Sequence, residues 1–195
     1  MLVLVVVLAA VVIGGFSCVG SYNKLVALDQ GVTAQWAQVQ NVYQRRADLV
    51  PNLVATVKGA AAFEQETLTK VVEARSRVGQ VRVDQDVLKD PAAFQKFQEA
   101  QGELSSALSR LLVVSEAYPD LKATAGFRDL QAQLEGSENR ITVERQRFNE
   151  AAREFNTKRD SFPTVVMAGF FGSRFASRPY FQATAGAETP PQVKF

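Results

Sequence analysis

The stretch YQRRADLVPNLV, residues 43–54, gathers Arg45, Arg46, Asp48 and Asn52 around a proline. Two guanidinium forks beside a carboxylate and an amide are the equipment for holding an anion, either a phosphate or a lipid headgroup, or for meeting a partner protein's carboxylates. The same residues also suit a bent helix that buries an ion pair of its own, and this is the favoured reading. Arg46 falls on an apolar helical seam, with Arg45 and Asp48 flanking it. An unpaired buried guanidinium would cost several kcal/mol, so Arg46 must either snorkel outward or meet a carboxylate from another helix. Pro51 removes the N–H that would bond back to Ala47 and is expected to kink the helix, a change worth about 3 kcal/mol in a helix interior.

Other chemistry is largely excluded. The 195 residues contain no histidine, which removes Ser-His-Asp and Cys-His catalysis and His-ligated zinc. Glu135, Glu138, Glu144 and Asp129 are interleaved with Arg128, Arg140, Arg145 and Arg147, the pattern of a solvated helix face rather than a metal site. Neither a nucleophile elbow nor a glycine-rich phosphate loop following a strand is present, so no catalytic residue, metal or cofactor is expected. Cys18 is the single cysteine, and an inert role is expected for it. The net charge is +2, and its excess lies after Asp160 in Arg174, Arg178 and Lys194 against Glu188. A neutral, finely mixed body lacks the clustered basic face that nucleic acid requires.

The elements that carry these residues follow from apolar spacing. Leu25, Leu28, Val32, Trp36, Val39, Tyr43, Val50, Leu53 and Val57 recur in steps of three and four around the Arg46 slot, which predicts one long amphipathic helix from about Tyr22 to Lys58. A weaker run covers Glu64 to Val78, and VGQVRVDQDVLKDP reads as a connector. A third helix opens at Pro91 and carries Phe94, Phe97, Gln101, Leu104, Leu108, Leu111, Ser115 and Tyr118. A fourth, opened by Pro119 and running to about Asp160, carries Phe127, Leu134, Ile141, Phe148, Phe155 and Phe162 at heptad spacing. The expected fold class is all-α: an N-terminal transmembrane helix, then an up-and-down four-helix bundle of long amphipathic helices.

Residues 1–20 are the expected anchor. Leu2 to Val19 is uncharged over 18 residues, near the lower limit of about 17 for a bilayer span. No basic n-region precedes it, and bulky Phe16 weakens the lipoprotein-like FSC, so a retained span is expected rather than a cleaved signal. The bundle is assigned residues 21–161, and residues 162–195 form an apolar, aromatic C-terminal segment with a Pro-rich tail. Antiparallel packing would return that segment to the membrane end near Tyr22. Val165, Val166, Phe170, Phe171, Arg174, Phe175, Arg178, Tyr180 and Phe181 are its candidate contacts with lipid or a second subunit. A loop folded back over the end of the bundle is the equal alternative. The tail, ending on Phe195, is expected to dock on a neighbour.

The stretches YNKLVALDQGVTAQWAQVQNVYQRRADLVPNLVATVKG and ENRITVERQRFNEAAREFNTKRDSFPTVVMAGFFGSRFASRPYF, with the closing PPQVKF, resemble the LemA family. That resemblance implies a bacterial, single-pass inner-membrane protein carrying a four-helix bundle, with no established catalytic activity and no site residues to transfer. It also implies, by association alone, a neighbouring envelope metalloprotease as a partner. The bundle is placed on the extracytoplasmic side, although Lys24, partly offset by Asp29, gives the charge rule little to act on. The expected function is a non-catalytic, homo-oligomeric scaffold that organises envelope proteins. The alternative is an accessory factor presenting a lipid, peptide or membrane-protease partner at the Arg45/Arg46 cluster.

Overall fold

The computed structural model describes residues 1–59, 64–81 and 83–182, leaving aside the side chains of residues 7 and 9–17. It is all-α. Helix α1 spans Leu2–Lys58, α2 Gln65–Gln80, α3 Pro91–Ser115, α4 Pro119–Ala123, α5 Ala125–Asp160 and α6 Thr164–Phe170. Single 3₁₀ turns lie at Gln85–Lys89 and Gly172–Phe175, and a non-helical strap, residues 176–182, follows the second. No strand occurs among the described residues.

Local chemistry accounts for the breaks. Asp90 caps α3 by accepting from the amides of Ala92 (2.9 Å) and Ala93 (3.2 Å), with Pro91 in the first turn, where its missing N–H is harmless. The expected fourth helix is divided at Thr124. Its backbone turns extended there (φ −69°, ψ 135°) so that its hydroxyl can cap α5. Helix α1 passes through Pro51 without ending.

Helix α1 packs chiefly on α5, and α2 on α3. Cross-links give the directions. Gln35 meets Glu144 and Arg46 meets Glu138, so α1 and α5 are antiparallel. Trp36 stacks near Phe94 and Arg46 reaches Gln101, so α1 and α3 are parallel.

The core has two parts. A distal cluster joins Val50, Leu53 and Val57 to Leu68, Val71, Leu104, Leu108, Phe127 and Leu134. A second, around Trp36, joins Leu25, Val32 and Tyr43 to Phe94, Phe97, Phe148 and Phe155. Helix α2 contributes to the distal part and stops. At about 1.5 Å per residue its 16 residues are too short to flank the rest of α1. In the second half its place is taken by Val87 and Leu88 of the connector and by Phe175 and Phe181 of the C-terminal segment. The four expected helical segments appear as α1, α2, α3 and the divided α4–α5, and irregular chain completes the half of the bundle that short α2 does not reach.

One expectation is corrected. Phe162 does not extend the heptad seam: α5 ends at Asp160, and the Phe162 ring is 83% exposed. For part of the segment after residue 161 the fold-back alternative fits, because Thr164, Ala168, Phe175, Arg178 and Phe181 are buried in the bundle. Among the described residues no helix is long and apolar enough to cross a membrane. The span expected over residues 1–20 falls largely on positions 7 and 9–17, whose side chains lie outside the described residues. The tail from 183 to 195 lies outside them as well.

Phe148 is fully buried between Trp36 (5.6 Å between ring centroids) and Phe94 (5.9 Å). Phe148→Ala is therefore expected to destabilise the fold by about 3–5 kcal/mol in denaturant titrations, whereas exposed Phe162→Ala should stay within about 0.5 kcal/mol of the parent.

Candidate functional site

Between the two core clusters lies a polar layer built around Arg46, whose side chain is 1% exposed. One guanidinium nitrogen donates to Glu138 Oε1 of α5 (2.6 Å) and to Ser105 Oγ of α3. The other donates to Gln101 of α3, at Oε1 (2.7 Å) and at the backbone oxygen (3.1 Å). The cation also lies 5.2 Å from the centre of the Tyr43 ring. One side chain from α1 thus fixes α3 and α5 at a single height. Glu138 remains 45% exposed, so its carboxylate keeps part of its hydration while neutralising a buried charge.

The other residues of the opening motif do not join Arg46. Arg45, Asp48 and Asn52 are exposed. Asp48 accepts from Gln44 (2.8 Å) one turn away, and the Asn52 carbonyl accepts from Thr56. The four expected members therefore do not converge on one ligand.

A second buried guanidinium, Arg178, belongs to the strap. It pairs with Asp29 of α1 at 2.5 Å and sits 4.9 Å from the centre of the Phe155 ring. The strap is held by its backbone. Asn156 donates to the Arg178 carbonyl (2.9 Å) and accepts from the Arg178 amide (2.8 Å). Asn149 treats Phe181 in the same way, at 2.9 and 2.8 Å. Asn149 and Asn156 are one heptad apart on α5, roughly 10 Å along its axis, so the three-residue step from Arg178 to Phe181 is nearly fully extended. The Phe181 ring enters the aromatic core, 4.9 Å from Phe94 and 5.4 Å from Phe148. Past it, the Gln182 amide donates to Gln98 Oε1 (3.2 Å) of α3, and its carbonyl accepts from Arg145 (2.7 Å) of α5.

The strap enters a cleft of about 980 Å³ between α3 and α5. Tyr43 and Arg46 are among its lining residues, with Gln98 and Gly102 on one wall and Glu138 and Arg145 on the other. Sequence reasoning missed this cleft, since it read Glu138 as part of a solvated face. The heptad spacing of Asn149 and Asn156, each next to a buried phenylalanine of the seam, was the available signal.

The expected membrane or subunit contacts divide. Val165, Val166, Phe170, Phe171, Arg174 and Tyr180 are exposed, with Phe170 at 85%. Phe175, Arg178 and Phe181 are buried within the chain, so lipid and neighbouring subunits are not what they touch. Phe171 and Phe175 pack on Tyr22 (5.1 and 5.8 Å), and Arg174 lies 5.4 Å from that ring's centre. The α6 foot is thus fixed beside the point where the apolar run of α1 ends.

A model of the LemA family matches residues 35–195. The chain belongs to the LemA family. It is 25% identical over 185 residues to magnetosome protein MamQ 2 of Paramagnetospirillum magneticum, covering 87% of this chain and 67% of that one. It is 25% identical over 191 residues to magnetosome protein MamQ of Magnetospirillum gryphiswaldense, covering 88% and 70%. It is 26% identical over 153 residues to protein LemA of Metamycoplasma hominis, covering 78% and 66%. The chain therefore spans about two thirds of the length of these relatives, none of which carries the name of an enzyme.

The Arg46 layer predicts an asymmetry. Arg46→Met, which removes the charge but keeps the bulk, should leave stability within about 1 kcal/mol of the parent, while Glu138→Ala, which strands the cation, should cost about 1–3 kcal/mol because the lost carboxylate is half exposed. Denaturant midpoints of the two variants test this ordering.

Burial pushes the Tyr43 phenol above its ordinary value of 10.0, against the opposing pull of Arg145 and Arg46. The unfolded phenol thus ionises at lower pH than the folded one. Its contribution to stability is fully present below about pH 10 and is lost as pH rises toward the folded value. Tyr43→Phe should lessen the decline in melting temperature across that alkaline window, measured against the parent in parallel melts.

Proposed function

We propose that this LemA-family chain is a membrane-anchored, non-catalytic helical scaffold that stands on the bilayer through two adjoining apolar features. The observation carrying this reading is their juxtaposition. Leu2, Val3, Leu4, Val5, Val6 and Leu8 are each at least 60% exposed along the start of α1, and Val19 is 60% exposed further along it. Tyr22, one helical turn further on, holds the α6 foot, where Phe162, Val166 and Phe170 are exposed at 83%, 54% and 85%. Single exposed apolar residues need no explanation, but a contiguous apolar surface of this kind marks a membrane or partner site. The uncharged run from Leu2 to Val19 has the length of a bilayer span, and the foot lies where the headgroup region would begin. Arg174 beside Tyr22 supplies a cation and an aromatic ring suited to that interface. The absence of histidine supports a non-catalytic role. Anchoring copies in one plane raises their effective concentration, which favours self-association.

The test uses the whole chain in vesicles. Leu8→Arg places a charge mid-span and should release the protein into the carbonate-soluble fraction, since a central arginine costs about 2.5–3.5 kcal/mol of insertion. In a Cys18→Ser background, a spin label at Phe170→Cys should show lipid-like oxygen accessibility, and one at Val113→Cys, exposed on α3, should show water-like accessibility. Carbonate-resistant Leu8→Arg protein, or a water-like label at position 170, would overturn the reading.

A further inference from the structure

The strap is held by the side chains of Arg178 and Phe181 and, in addition, by its main chain, which any sequence could offer. Three consecutive grips act on main-chain groups: Asn156 on Arg178, Asn149 on Phe181, then Gln98 and Arg145 together on Gln182. The last grip differs from the first two because its donor and acceptor come from opposite walls. The chain therefore leaves exposed Gln182 at the edge of the cleft, bonded to α3 on one side and α5 on the other. Beyond that point the cleft continues past Gly102 and Ser106 of α3 and past Glu138 of α5, with Arg46 among its lining residues.

We infer that the α3–α5 cleft is a binding site for extended polypeptide, and that its occupant is the chain's own C-terminal segment continuing from Gln182. The length is sufficient. From the level of Arg145 to that of Glu138 is seven residues of α5, roughly 10 Å, which about three extended residues cover. Thirteen residues follow Gln182. The first five are Ala183, Thr184, Ala185, Gly186 and Ala187, small side chains suited to passing between two helices without forcing them apart. The walls offer amide, hydroxyl and charged groups that can pair with main-chain N–H and C=O, as Gln98 and Arg145 already do at Gln182. Arg46 Nε is buried and has no partner among the described residues, so the polar layer has hydrogen-bonding capacity left at this level. The inference concerns the bundle alone and stands whether or not the membrane reading does.

A disulfide pair tests it on the full chain in detergent. A side chain at Gly102 would meet nothing within 4 Å, so Gly102→Cys fits the wall without displacing a neighbour. It is combined with Thr184→Cys in a Cys18→Ser background, since position 184 should lie about level with it. The control pairs Thr184→Cys with Arg45→Cys, exposed and outside the cleft. Docking should make the intrachain disulfide at 102 form at least about tenfold faster than the control, through the effective concentration of a held segment. Gln98→Ala, which removes one grip on Gln182, should slow that reaction while leaving the melting temperature close to the parent's. Equal rates for the two pairs would overturn the proposal. Disulfides found between chains alone would overturn the intrachain occupant and point to the tail of a second copy.

Discussion

The arrangement of this bundle turns on the burial of one guanidinium. Apolar seams with steps of three and four set which faces meet, but a heptad pattern is nearly satisfied again after a slide of one repeat. Arg46 removes that freedom. Its cation is out of water, so the folded chain must bring Glu138, Gln101 and Ser105 to one level, and a slide of α3 or α5 would strand the charge at a cost of several kcal/mol. The layer also separates the two apolar clusters, with Tyr43 on one side and Val50 on the other along α1. Each cluster can then be completed by different means, which is what the chain does.

The distal cluster is closed by a helix, and the other by strap and connector. This difference follows from the length of α2, whose end leaves Trp36 and its aromatic neighbours without a fourth helical wall. The Trp36 indole N–H donates to the Val83 carbonyl (3.1 Å), so the connector is fastened to the residue it covers. The strap answers the same need from the other terminus. Irregular chain in a core carries peptide groups that require partners, and Asn149 and Asn156 supply a donor and an acceptor to each residue they hold. Phe181 and the Arg178–Asp29 pair then make the strap part of the fold.

How far the sequence revealed this depends on the kind of signal. Periodicity located the seams of α1, α3 and α5, and it left Arg46 on an apolar slot either to snorkel outward or to meet a carboxylate from another helix, of which the second is found. Periodicity was misleading at Phe162, where the heptad count continues but the helix has ended. Grouping Arg45, Asp48 and Asn52 with Arg46 failed for a geometric reason: each residue turns the helix by about 100°, so neighbours in sequence face different directions. The strap was least legible. Its residues have no period of their own, and their burial depends on side chains of α5 that are polar and read as solvent-facing.

The strap also runs beside α5 from the foot to the cleft. Arg159 donates to the Phe175 carbonyl (2.6 Å) beside the foot, and Arg145 donates to the Gln182 carbonyl in the cleft. The chain between these points crosses the aromatic core. Lifting it from the cleft would withdraw Phe181 from Trp36, Phe94 and Phe148 and would break the Arg178–Asp29 pair, leaving Asp29 without its cation and the core open. The cleft mouth and the apolar foot are therefore linked by a short path of main chain as well as by α5, which carries both arginines. Residues that hold the strap consequently act on both ends of it, and substitutions at Asn149 or Asn156 would be felt at the foot as well as in the cleft.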